Sequence, residues 1–326
     1  MVVLPVNGKE AQRFRAIAPQ AHFTFAAQME HPEQLSKTPD AVLDGMDIDT
    51  ADIIIGNVAS RLLTHADKLQ WIQLGSAGAD AYVKPGVLPD RTRITTSVGA
   101  YGQAVAEHAL ALLLSLIKKL PEYRKMQEDH AWEDLGSVTT LAGAQVLVMG
   151  AGDIGLHFAK MAHGLGAHCI AYRQHKPQEL FDEYTKAFDL TITKEHLLHV
   201  LPEIDCVASF LPSTPETQGL VNKEFIDALP KRAYIVNAGR GDLIVEQDLI
   251  DALTSGDLAG AALDVTPEEP LPKGDPLWEA PHLLITPHIA GYWHLPQTRE
   301  RVVSIAQRNL KSYISGKPLR NEVTRG

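Results

Sequence analysis

The chain has little of several things, and each shortage excludes something. Of its 326 residues only two are cysteine, Cys169 and Cys206. Each falls in a strand-like apolar segment, and so sparse a pair builds no disulfide framework, so two buried free thiols are expected. Long hydrophobic runs are lacking too. The apolar stretch Ala104 to Ile117 is too short to span a bilayer and carries Glu107 and His108. The amino-terminal MVVLPVNGKEAQRFR has no basic leader followed by an apolar run, which makes a cytoplasmic address the default expectation. Positive charge is scarce: 30 Lys and Arg against 40 Asp and Glu give a formal charge of -10, with no basic run. That argues against nucleic acid and anionic membrane as partners, and leaves any bound anion to a local site. Histidine, cysteine and carboxylates nowhere cluster at ligand spacing, so no metal is expected. With 45% hydrophobic and 21% charged residues, what remains is a folded globular chain long enough for two domains.

Short apolar, β-branched runs alternate with helical patterns: Ala51 to Gly56, Leu69 to Leu74, Gln145 to Met149, His168 to Tyr172, Asp205 to Leu211, Ala233 to Asn237, Gly260 to Val265 and Leu283 to Thr286. This rhythm means βαβ units and parallel sheet, an α/β fold of two doubly wound domains with a cleft between them. Boundaries near Val98 and Ala290 give one domain of residues 1–98 plus 291–326, and a dinucleotide-binding domain of residues 99–290. The pattern Thr298 to Ile314 would then fold back onto the first domain. Between Gln103 and Leu120 the helical pattern is apolar almost all round, so it is expected to lie between domains or against a second subunit, and a homodimer is expected.

The strand QVLVM runs into GAGDIG and then into a helical pattern ending near Gly166, before the next strand. Gly150 allows the tight turn, Gly152 lets backbone approach a pyrophosphate, and Gly155 lets helix and strand pack closely, with Asp153 and Ile154 opening the helix. Free N–H groups and the helix dipole would hold the phosphates. A lone glycine motif is weak, but between a strand and a helix it signals a nicotinamide dinucleotide. At the end of the following strand, where an acid would accept from a ribose 2′-hydroxyl, stand Tyr172, Arg173, Gln174, His175 and Lys176. Arg173 and Lys176 suit a 2′-phosphate, so NADP(H) is expected in preference to NAD(H), which remains possible. The alternative is a basic, solvated loop.

Three later strand ends supply one Arg, one Glu and one His. Reducing a 2-oxo acid needs a cation for the carboxylate, a proton donor for the carbonyl oxygen, and hydride from the opposite side. Arg240 fits the first role because its fork holds a carboxylate. His288 fits the second, imidazole being the side chain that exchanges protons near neutral pH. Glu269 could orient the ring and favour its protonated form. Singly, each reads as well as a surface or loop residue; the conjunction carries the inference.

These segments, VAEHALALLL, GAGDIG, LPSTPET, VNAGRGDLI, AALDVTPEEPLP and TPHIAG, taken in order, resemble the D-isomer-specific 2-hydroxyacid dehydrogenase family along nearly the whole chain. The resemblance implies catalytic roles for Arg240, Glu269 and His288, with Arg240 and His288 also binding substrate. Glu269 is chosen over Glu268 because it directly precedes Pro270. Cofactor contacts would come from the glycine turn, from Leu211 and Pro212, from Ala238, and from Asp264 at the nicotinamide carboxamide. The segment LGSAGAD resembles a loop whose amides, around Ala77 and Gly78, take the substrate carboxylate, although it departs from the commoner GAGVD form. The family also implies a flavodoxin-like substrate domain around an inserted Rossmann domain, usually dimeric through the helix after Val98. Tyr101, Tyr292, Trp293 and Leu295 are candidates for a pocket wall, or equally for aromatics packing an interface. A small 2-oxo or 2-hydroxy acid is the expected partner. The rival from another class is a dinucleotide-sensing corepressor or scaffold, for which the chain leaves little room for partner-binding extensions. Phosphoglycerate dehydrogenase is the runner-up among enzymes, with no regulatory domain after Gly326 to favour it.

Overall fold

The computed structural model describes residues 1–25, 48–174 and 182–324. It divides into two compact units, residues 1–101 with 292–326, and residues 102–291.

In the first unit, β1 (Ile53–Ile55), β2 (Trp71–Gln73) and β3 (Arg93–Thr95) pair in that order, all parallel. Their apolar faces bury Ile54, Ile72, Leu74 and Ile94. The terminal helix, Pro296–Ile314, joins this unit through a buried apolar stripe that includes Val302, Ala306 and Leu310, and through buried polar bonds. Asn309 Nδ2 donates to Gln73 Oε1 at 2.7 Å, and the same oxygen accepts from Thr95 Oγ1 at 2.8 Å, all three residues being buried. Arg299, buried, donates through Nη1 to Glu10 Oε1 at 3.0 Å on helix α1 (Gly8–Ile17). Groups so deeply placed must be paired, which fixes where the helix lies.

The second unit holds a seven-stranded parallel sheet. Its strands are β4 (Gln145–Met149), β5 (His168–Tyr172), β6 (Leu190–Ile192), β7 (Cys206–Ser209), β8 (Tyr234–Asn237), β9 (Gly260–Leu263) and β10 (Leu283–Ile285). They lie in the order β10-β9-β8-β7-β4-β5-β6, so the chain reverses direction of growth beside β4. That is the doubly wound order, with its switch point between β4 and β7. The strands are near-continuous apolar runs because both faces are covered. Leu147, Met149, Val207, Ile235 and Leu263 enter one core with Phe225 and Leu249. Val146, Val148, Ala208, Val236 and Ala262 enter the other with Phe158 and Ala159.

All eight expected strands form. Two more, β3 and β6, lay outside the sequence reading because three residues with one charged or exposed member, RIT and LTI, carry too little apolar alternation. The apolar helix α2 runs Gly102–Ile117, ending short of Leu120, and a second helix, α3 (Leu120–Glu128), follows. Within its own unit α2 packs on α4 (Asp153–Gly164), β8 and β9, and Ala106, Ala109, Leu113 and Ile117 are buried there. This cover explains its all-round apolarity, which therefore gives no argument for a second subunit. Among the described residues no helix is long and apolar enough to cross a membrane.

Cys169 and Cys206 are free and buried, and both pair in register with Val146, one from each side. Burial pushes both thiols up to about 12, so neither forms a thiolate near neutral pH. The native protein is therefore expected to resist an aromatic disulfide reagent at pH 8 and to titrate two thiols once unfolded; fast labelling of the native state would contradict this packing.

Candidate active site

Every residue singled out for chemistry in the second unit stands just past the carboxyl end of a strand of one sheet. This edge is where a doubly wound fold collects its ligand groups.

At the end of β4, Gly150 has φ +92, and a Cβ there would lie 2.9 Å from the Phe210 carbonyl group. At Gly155 a Cβ would meet the Gly150 carbonyl oxygen at 2.4 Å, so glycine is required for α4 to pack against the turn. Gly152 differs: no atom of the chain lies within 4 Å of where its Cβ would be. The chain's own packing does not ask for glycine here, whereas a pyrophosphate laid on the turn would. Gly152 also caps α4 without a side chain, leaving Asp153, Ile154 and Gly155 to present the first-turn amides of the helix. Arg173, at the end of β5, donates from Nη1 to the Ala151 carbonyl at 3.2 Å, so its guanidinium sits beside the turn. These residues fit a dinucleotide. Lys176 lies outside the described residues.

Past β7, Leu211 is buried and Pro212 exposed. Thr217 Oγ1 closes this loop by donating to the Pro212 carbonyl at 2.7 Å. Past β8 come Ala238, half-buried, and Arg240, itself half-buried in extended backbone (φ -139). Asn237 Nδ2 donates to the Arg240 carbonyl at 2.8 Å and Asn237 Oδ1 accepts from the Gly239 amide at 3.1 Å, so one buried side chain shapes the loop. The glycines on either side of Arg240 admit its neighbours: a Cβ on Gly239 would lie 2.6 Å from the Leu211 carbonyl oxygen, and one on Gly241 only 2.0 Å from the Thr266 carbonyl carbon.

Past β9 and β10 the structure brings Glu269 and His288 together. Nδ1 of His288 lies 2.7 Å from Glu269 Oε2, and Glu269 Oε1 accepts from the Thr266 amide at 3.2 Å. A carboxylate only accepts, so Nδ1 carries a hydrogen and Nε2 is the ring atom left for chemistry. Glu268 instead turns its carbonyl to Thr266 Oγ1. His288 has φ +53, a left-handed conformation that a non-glycine residue adopts only where its surroundings hold it.

Asp264 does the holding. Only 2% exposed, its backbone carbonyl accepts from the His288 amide at 2.7 Å. Its Oδ1 accepts from Thr286 Oγ1 at 2.6 Å and the Ile289 amide at 3.0 Å, and its Oδ2 from the Ala290 amide at 3.1 Å. Burial alone would raise this carboxyl, but the hydrogen bonds from His108, Thr286, Ala290 and Ile289 outweigh it and hold the group below its usual range. The sequence reading gave Asp264 a cofactor contact and missed that it organises the histidine loop. It missed Thr286 and His108 as well, since a threonine at a strand end and a histidine on an apolar helix carry no signal until the loop is folded.

In the first unit Ala77 and Gly78 are half-buried in the loop after β2. Asn57, also unforeseen, shapes that loop by accepting from the Gly75 amide at 2.7 Å and donating to Ser76 Oγ at 3.1 Å. Tyr101 is 8% exposed. Its hydroxyl donates to the Gly75 carbonyl and accepts from Trp293 Nε1, and burial pushes it up to about 12. Its phenol is thus hydrogen-bonded inside its own unit. Tyr292 is half-buried, its ring tilted against His294.

A phosphate-binding turn and a carboxylate-oriented imidazole on one sheet edge serve hydride transfer, which makes the class that of nicotinamide-dependent oxidoreductases. The family model described as "D-isomer specific 2-hydroxyacid dehydrogenase, NAD binding domain" matches residues 110–290, more than half of the chain. A hydroxypyruvate reductase of Blautia hydrogenotrophica is 35% identical over 68% of this chain and 69% of its own. Among solved structures, a D-isomer-specific 2-hydroxyacid dehydrogenase family protein of Aeromonas salmonicida superposes with a TM-score of 0.79 at 29% identity, over 100% of this chain and 99% of its own. An NADPH-dependent glyoxylate/hydroxypyruvate reductase of Sinorhizobium meliloti, solved with NADP and sulfate, does so with a TM-score of 0.77 at 25% identity, over 98% of each chain. The chain belongs to the D-isomer-specific 2-hydroxyacid dehydrogenase family, and it is a D-2-hydroxyacid dehydrogenase that binds a nicotinamide dinucleotide.

Two outcomes follow from the packing of this edge. Gly241→Ala should cost the protein activity and stability together, since its Cβ has no room beside Thr266; a variant with wild-type kcat and melting temperature would contradict the close approach. Because Asp264 is held below the ordinary aspartate value of 3.8, its contribution to stability is full above that value and is lost as pH falls through the lower folded one. The stability advantage of wild type over Asp264→Asn, measured by urea unfolding, should therefore hold steady down to about pH 4 and narrow as pH falls further.

Proposed function

We propose that this dehydrogenase works as a reductase of 2-oxo acids, making D-2-hydroxy acids with NADPH in preference to NADH. The single observation that carries the reading is the 2.7 Å contact between His288 Nδ1 and Glu269 Oε2, which commits one ring nitrogen and leaves the other to give up a proton.

The glycine turn would hold a reduced nicotinamide dinucleotide, which would supply hydride for the 2-carbon. The chain's own residues do the rest. Arg240 pairs with the substrate carboxylate and polarises the carbonyl. Nε2 of His288 delivers the proton to the carbonyl oxygen, leaving a neutral ring still donating from Nδ1 to Glu269. Leu211, Pro212 and Ala238 would line the dinucleotide, and Asp264 is assigned to its carboxamide.

NADPH preference rests on Arg173. Its guanidinium stands at the turn, at the end of β5, and the sequence that follows, Gln174 to Gln178, supplies no acid for a ribose 2′-hydroxyl. A fork at that place pairs with a 2′-phosphate.

We also propose a homodimer, on different ground from the apolar helix. From Lys118 to Thr140 no residue is buried, α3 included, and Trp132 is fully exposed at 101%. A helix with no buried residue and a fully exposed tryptophan suit a surface met by a second copy.

His288→Gln should abolish NADPH oxidation at 340 nm with glyoxylate, hydroxypyruvate, pyruvate and 2-oxoisocaproate, a loss of at least about a hundredfold, while NADPH binding by fluorescence persists; surviving turnover would refute the donor assignment. In wild type kcat/KM should favour NADPH over NADH, and Arg173→Ala should erase that preference; equal values in wild type would end the case for NADP.

A further inference from the structure

We propose that His108, a side chain of α2 outside the reacting groups, is a positioning residue for His288 and acts through Thr286 and Asp264. This rests on His288 being the proton donor.

His108 interrupts an apolar helix, and its side chain is only 25% exposed. Its Nε2 lies 3.0 Å from Thr286 Oγ1 and 3.5 Å from Asp264 Oδ1. Hydrogen counting sets the direction of this chain. The Thr286 hydroxyl has one hydrogen and lies 2.6 Å from Asp264 Oδ1. An ionised carboxylate can only accept, and Asp264 also accepts the amides of Ile289 and Ala290, so that hydrogen goes to Asp264. Thr286 Oγ1 can then offer His108 only a lone pair, and Nε2 of His108 must carry a hydrogen. Donation runs one way, from His108 to Thr286 to Asp264.

At its far end the chain meets the active loop. The Asp264 carboxylate accepts the amides of Ile289 and Ala290, and its carbonyl accepts the amide of His288. These bonds hold His288 in its left-handed conformation with its ring on Glu269. Removing the His108 donor takes away the bond that fixes the Thr286 hydroxyl, which weakens its bond to Asp264 and loosens residues that never touch His108. Links of this kind in low-dielectric surroundings reinforce one another. The inference thus gives the histidine of α2 a task distinct from filling space: it locks a rotamer two bonds upstream of the proton donor.

The experiment compares His108→Leu, which removes the donor, with His108→Gln, which keeps an N–H at similar reach, each also made with Thr286→Val. Two readouts are taken: deuterium uptake by the peptide spanning Ile289 and Ala290, and kcat and KM with NADPH and a 2-oxo acid. His108→Leu should lower kcat roughly three- to tenfold with KM for NADPH little changed, and should speed exchange at those amides. Thr286→Val alone should reproduce both effects, His108→Gln should restore both, and adding His108→Leu to Thr286→Val should cost less than His108→Leu costs alone. The proposal is overturned by unchanged exchange in His108→Leu, by a glutamine variant as impaired as the leucine one, or by an undiminished His108→Leu effect in the Thr286→Val background. A wild type that turns over no 2-oxo acid would defeat the functional reading instead, and the exchange measurement would still decide the role of His108.

Discussion

The site depends on one buried carboxylate. Asp264 sits where β9 ends and holds, within 3.1 Å of its own oxygens, Thr286 and the amides of His288, Ile289 and Ala290. A buried charge is tolerable only when its acceptor capacity is filled, and here the filling is done by the loop that carries the candidate acid. The same bonds that satisfy Asp264 fix a histidine in a conformation it would not otherwise keep. Without them Glu269 would have no imidazole at a defined place to orient.

The parallel sheet explains why these groups meet at all. Right-handed crossovers return every strand in the same direction, so the loops after β4, β5, β7, β8, β9 and β10 collect at one edge though they are separated by up to more than a hundred residues in the chain. Close approach of those loops is then a matter of volume. Gly239 and Gly241 leave space for the Leu211 and Thr266 backbones, and Arg240 between them is presented from a loop with little freedom to move. Preorganisation of this sort is what lets a few polar groups act without reorganising during the reaction.

Much of this was legible in the sequence. The strands β4, β5, β7, β8 and β9 announce themselves because both faces are buried and apolar residues run on without alternation; β3 and β6 do not, being three residues long and weakly apolar. The glycine turn could be read because each glycine has a separate geometric reason, and Gly152 now stands apart as the one whose reason is not in the chain itself. The pairing of Glu269 with His288 followed from their places at successive strand ends. What could not be read were relationships of direction: that Asp264 faces the loop after β10, that His108 on α2 points at Thr286, that Asn57 shapes the loop holding Ala77 and Gly78, and that Tyr101 spends its hydroxyl on Gly75. Such facts arise from packing between segments far apart in sequence, and a residue type alone does not encode them. The apolar helix α2 taught the converse, since its all-round apolarity was met by α4 and the sheet.

The claim that Asp264 builds the site is tested most directly by a crystal structure of Asp264→Asn. An asparagine amide presents a donor where the carboxylate accepted, so it cannot receive Thr286, Ile289 and Ala290 together. The expected result is a displaced loop at residues 286–290 and loss of the 2.7 Å contact between His288 and Glu269; a loop and contact unchanged from wild type would contradict the claim.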